Sequence, residues 1–103
     1  MGGNAVNHLG NVIRLKTKEF DELALDIVAL LSTDNTHIYP IPSYYSKEDH
    51  GDMDLLTTSD FWKTNTRNSV KKKLGSVGFS QNGTVTSYAV PYGKDIFQVD
   101  IIN

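Results

Sequence analysis

The sequence contains no cysteine, which excludes a disulfide framework and a thiolate zinc site. It has little excess of either charge, because 10 Lys and Arg stand against 12 Asp and Glu for a formal net charge of −2. Such a balance exerts no broad pull on nucleic acid. That argues against a protein that binds nucleic acid through a basic surface, but not against a small anion held through a metal. No apolar run approaches the roughly 20 residues needed to cross a bilayer. The opening Met1-Gly2-Gly3-Asn4-Ala5-Val6 lacks the apolar stretch of a signal peptide. A soluble, cytoplasmic protein without a membrane partner is the expectation. What is present is ordinary: 39% hydrophobic and 21% charged residues in a chain of 103, enough for one modest core and a single domain over residues 1–103.

Hydrophobic spacing supplies the elements. Phe20, Leu23, Ile27 and Leu30 or Leu31 recur at three- and four-residue steps, one face of a helix that begins near Lys18. Thr17 is placed to cap it, and Ser32-Thr33-Asp34-Asn35 ends it. A short strand follows over residues 37–42, limited to an edge around Pro40 because prolines cannot donate to a ladder. Residues 43–51 read as a polar loop and 53–57 as a strand. A helix over about residues 59–74 carries Trp62, Val70 and Leu74, although Asn65, Thr66, Asn68 and Ser69 are poor helix formers. Then come three β runs. Asn82-Gly83 signals a hairpin between the first two, and Pro91-Tyr92-Gly93-Lys94 turns the chain into the third. Helix, strand, strand, helix and three strands make an α+β layout, a mixed sheet flanked by two or so helices.

The chemistry lies in the acids. Side chains on a strand alternate faces, so Asp52 and Asp54 project from one face while Met53 points to the core. Two adjacent like charges need compensation, and Mg²⁺ or Mn²⁺ provides it through the oxygen ligands that hard cations prefer. Asp100 stands in the apolar run Phe97-Gln98-Val99-Asp100-Ile101-Ile102, where an unpaired charge is expensive. If its strand lies beside that of Asp52, three carboxylates converge at one edge of the sheet, enough for a two-metal site. His50, next to the pair, reads as a solvated loop histidine. Lys71-Lys72-Lys73 reads as a solvated helix face.

Ser43-Tyr44, Lys47, Gly51-Asp52-Met53-Asp54-Leu55-Leu56 and Val99-Asp100-Ile101 resemble the polymerase-beta-like nucleotidyltransferase superfamily over roughly residues 18–102. That family's pattern is Gly-Ser, then Asp-x-Asp on a strand, then a third Asp on a later strand. The resemblance implies a nucleotidyltransferase-like sheet with the Asp100 strand next to the Asp52 strand. It also implies metal ligation by Asp52, Asp54 and Asp100, with Asp100 as general base. Ser43 matches the family's Ser that meets the triphosphate, and Tyr44 and Gly51 join it on the nucleotide-binding side; Lys47 has no fixed counterpart in the family and joins them as an ammonium near enough to contact phosphate. The implied reaction moves a nucleoside monophosphate from a nucleoside triphosphate, ATP first among them, to a hydroxyl of a protein, RNA or small molecule. Pro42 departs from the pattern, standing where the family has Gly before Ser. The opening Met-Gly-Gly-Asn-Ala also resembles phage-encoded nucleotidyltransferase-like proteins. The alternative reading is therefore a catalytically silent module that binds a host protein or nucleotide. The chain is expected to be either a minimal enzyme or the catalytic piece of a longer one.

Overall fold

A computed structural model describes residues 5–32, 38–41, 49–58 and 60–102. Its centre is a five-stranded mixed sheet in the order β2-β4-β7-β6-β5, formed by β2 (Ile38–Pro40), β4 (Asp52–Thr57), β5 (Phe79–Asn82), β6 (Val85–Tyr92) and β7 (Asp95–Ile102). Within this sheet β4 and β7 pair in parallel, and the other described pairings are antiparallel. Two further strands, β1 (Leu15–Lys16) and β3 (Asp49–His50), pair antiparallel beside it.

The helices cover one face of this sheet. In α1 (Thr17–Leu31) the buried residues are Phe20, Ala24, Ile27 and Leu31, the 4-3-4 spacing of a single helical face. Leu31 rather than Leu30 is therefore the inward member of the last turn, and Leu30 is exposed. Thr17 begins the helix instead of capping it. The cap position is Lys16, whose side chain accepts no hydrogen bond, and the Thr17 hydroxyl meets His50 Nε2 at 3.1 Å.

The helix expected over residues 59–74 is two helices, α2 (Phe61–Thr64) and α3 (Arg67–Leu74). The break falls at Asn65 and Thr66, and the Thr66 side chain has a better use outside a helix. It accepts from Ser69 N while Ser69 Oγ accepts from Thr66 N, a reciprocal capping box. Gly75 closes α3 in the left-handed region at φ 63°. Lys71, Lys72 and Lys73 fill the last turn of α3, where cations complement the helix dipole. Phe61, not Trp62, is the buried aromatic of α2. The Trp62 ring is half-buried and carries the Arg67 guanidinium 4.4 Å from its centroid.

Period-two alternation divides the sheet residues between two environments. Met53, Leu55, Tyr88, Val90, Phe97, Val99 and Ile101 join the helix residues, including Val70 and Leu74, in the main core. On the opposite face the chain segment 5–12 lies as a strap. Val6 is fully buried there with Ala89 and Ile96, and Leu9 and Val12 flank them. Ile13 N donates to Ile96 O and Ile96 N donates to Asn11 O, which fastens the end of the strap to β7.

Both hairpins form, each one residue away from the expected turn. The β5–β6 loop is Gly83-Thr84, with Asn82 still paired to Val85. The β6–β7 loop is Gly93-Lys94, with Pro91 and Tyr92 inside β6. Gly83 at φ 62° and Gly93 at φ 63° fix these positions, because a two-residue hairpin loop needs a residue that enters positive φ without strain. At the other side, β2 lies at an edge of the sheet, as Pro40 at its end requires, with Ile38 buried. Leu56, at 45% exposed, faces away from the core. Among the described residues, no helix is long and apolar enough to cross a membrane.

Candidate metal centre

The parallel register of β4 on β7 sets Met53 against Val99 and Asp54 against Asp100. One row of the strap-side face therefore runs Asp54, Asp100, Ser87 across three adjacent strands, and the next runs Asp52, Gln98, Ala89. Carboxylate oxygens of Asp52, Asp54 and Asp100 all lie within 4.8 Å of one another. The convergence expected from the sequence is present, but not at an edge: β4 and β7 are interior strands, and Asp100 is only 1% exposed. An interior position makes the charge harder to tolerate and the site more enclosed.

Three negative charges at that separation oppose ionisation of the most buried member. Burial pushes the Asp100 carboxyl up from 3.8 to about 6; hydrogen bonds from Ser87 and Gln98 pull it down, and the charges of Asp52 and Asp54 push it up again. Gln98 Nε2 donates to Asp100 Oδ1 at 2.9 Å. Asp52 Oδ2 is buried with no hydrogen-bond partner among the described residues, which costs free energy for an acceptor removed from water. A divalent cation would satisfy that oxygen and relieve the mutual repulsion, and carboxylate oxygen is the donor type that Mg²⁺ and Mn²⁺ take. The residues present thus fit a hard cation.

Gly51 directly precedes the pair, between β3 and β4. A Cβ there would come 2.7 Å from Arg14 Nη1, the mobile end of a flexible side chain. Nothing in that contact requires glycine strictly. Arg14 itself makes an exposed ion pair with Asp49 at 2.8 Å, and its hydrogen bond holds the Asp49 carboxyl below the usual range. Ser43, Tyr44 and Lys47 lie outside the described residues.

His50 is not the solvated loop histidine that its neighbours suggest. Residues 49 and 50 form β3, and the His50 ring is buried, stacked on Phe20 with centroids 4.1 Å apart and planes at 25°. It packs at the start of α1 and is not part of the carboxylate cluster.

The sequence reading missed Gln98 and Ser87. Gln98 carried a usable signal, because the two-residue rule that joins Asp52 to Asp54 also joins Gln98 to Asp100. Ser87 carried none, since only the β6–β7 register brings it opposite Asp100. The chain matches no protein-family model. No curated protein matches its sequence.

Proposed function

We propose that the chain is a divalent-metal-dependent nucleotidyltransferase that transfers a nucleoside monophosphate from a nucleoside triphosphate to a hydroxyl and releases pyrophosphate. The observation that carries this reading is the carboxylate triad on two adjacent parallel strands, its oxygens within 4.8 Å. The order Asp-x-Asp followed by a later-strand Asp, which resembles the polymerase-beta-like superfamily, supports it. Asp52, Asp54 and Asp100 would hold Mg²⁺ or Mn²⁺ through their carboxylate oxygens. The cation supplies charge neutralisation for the triphosphate and polarises the oxygens bound to it. Asp100, held by the Gln98 amide at 2.9 Å, is also the proposed general base that takes the proton of the acceptor hydroxyl. Positioning and electrostatic stabilisation then account for the acceleration, with no covalent enzyme intermediate. ATP is the proposed donor, and a protein, RNA or small molecule the proposed acceptor.

The test is a screen of the four labelled nucleoside triphosphates against candidate acceptors with Mg²⁺ or Mn²⁺, read as pyrophosphate release, with Asp52→Asn as control. Release by the parent and none by the variant is expected; equal release by both removes Asp52 from the chemistry. The second reading, a module that binds nucleotide or a host protein without turnover, is favoured by Pro42 in the place of glycine before Ser43. It predicts a cation-dependent thermal shift with nucleotide and no pyrophosphate from any pairing.

A further inference from the structure

The strap is tied to the carboxylates by a continuous hydrogen-bonded path. The backbone N–H of Ala5 donates to Gln98 Oε1 at 3.1 Å, and Gln98 Nε2 donates to Asp100 Oδ1 at 2.9 Å. These two bonds define the amide orientation. Flipping it would set an oxygen against the carboxylate and an NH₂ against the Ala5 N–H, losing both. Gln98 is fully buried, so water does not compensate for a lost bond. The strap cannot drift from this position cheaply either, since Val6, the next residue, is fully buried against Ala89 and Ile96.

We propose that the strap sets the geometry of the metal centre through Gln98, a positioning residue whose amide holds the Asp100 carboxylate in the orientation that faces Asp52 and Asp54. The inference rests on the metal reading for its consequence, but the hydrogen-bonded path stands apart from it. Partners that orient ligating carboxylates usually change metal affinity 10–100-fold when removed. Gln98→Met removes donor and acceptor at similar volume. Ala5→Pro removes the N–H that orients the amide and leaves Gln98 itself in place.

Two measurements test this, on variants shown to be folded by circular dichroism. Mn²⁺ titration followed by electron paramagnetic resonance, with Asp54→Asn as site control, should give about 10-fold weaker binding for Gln98→Met. Ala5→Pro should weaken binding in the same direction by a smaller factor, and the double variant should be no weaker than Gln98→Met alone. Hydrogen exchange of the Gln98 side-chain amide by NMR, without metal, should be slow in the parent and accelerated in Ala5→Pro. If Ala5→Pro does not fold, Val6→Ala loosens the strap and takes its place in both measurements. Parent-like Mn²⁺ affinity in Gln98→Met, or losses that multiply in the double variant, would overturn the proposal, as would rapid amide exchange in the parent. A purely structural Gln98 would lower Tm and leave the affinity unchanged. If Asp54→Asn binds Mn²⁺ like the parent, the metal reading fails by itself, and the exchange rates still decide whether the strap orients Gln98.

Discussion

Asp100→Asn should stabilise the metal-free protein at neutral pH while abolishing its response to a divalent cation. In the folded chain the Asp100 carboxyl is pushed up to about 6 from 3.8, so the folded state binds its proton more tightly than the unfolded state does. By linkage, this contribution is fully present below about pH 4, declines between about pH 4 and 6, and stays lost above that. Two pH units at about 1.4 kcal/mol each set a ceiling of ~3 kcal/mol. Partial hydration of Asp52 and Asp54 beside it reduces the expectation to about 1–2 kcal/mol. Asparagine removes the charge, keeps an oxygen for the Gln98 donor, and brings an NH₂ into the neighbourhood of the unpartnered Asp52 Oδ2. At about 4–8 °C per kcal/mol for a domain near this size, the variant should melt roughly 5–15 °C above the parent at pH 8 in EDTA, and together with it at pH 4. Saturating Mn²⁺ should reverse the order, since a ligand at 100 times its Kd adds about 2.7 kcal/mol to the parent alone. Circular dichroism melts from pH 4 to 8, with and without Mn²⁺, make the comparison. Parallel pH profiles for the two proteins, or a variant less stable at pH 8, would refute the reasoning.

Thr66→Ala removes the acceptor of the α3 capping box and should cost about 1 kcal/mol in urea unfolding, with the m-value unchanged. Ile27→Ala, at a 1% exposed position under the sheet, should cost about 2–5 kcal/mol; a loss under 1 kcal/mol would mean that α1 does not pack as described. Gly51→Ala should displace only the Arg14 guanidinium and shift stability by less than about 0.5 kcal/mol, and a large loss would show that glycine is required there. Arg14→Ala breaks an ion pair with both partners half-exposed and should be nearly silent in the same measurement.

Local signals in the chain were legible where one periodicity governs one element. The apolar face of α1 and the shared face of Asp52 and Asp54 follow from spacing, and the edge position of β2 from the donor that Pro40 lacks. The errors arose where a local rule met a tertiary contact. Thr17 has the chemistry of a cap, yet its hydroxyl meets His50 and it begins the helix. His50 sits among polar residues, yet the β1–β3 pairing presses it onto Phe20. A single apolar stripe suggested one helix over residues 59–74, and the capping box at Thr66 divided it. Asn82-Gly83 marked the first hairpin correctly, but the strand pairing extends through Asn82 and moves the loop by a residue. At the carboxylate cluster the acids were visible because an ionisable side chain in an apolar run is conspicuous. Their interior placement and the Ser87 contact depend on strand order, which no local pattern encodes.

The parallel β4–β7 pairing also bears on how the chain folds. β5, β6 and β7 are joined by two tight hairpins and can pair on the microsecond scale. β4 reaches β7 only across the whole of α2, α3 and both hairpins, a closure whose entropy is met before any contact rewards it. Asp54 and Asp100 are therefore expected to meet late, so that the repulsion between them opposes the final step of assembly more than the early ones. Relieving that repulsion should slow unfolding much more than it speeds folding, which makes the acidic row a control on the lifetime of the native state.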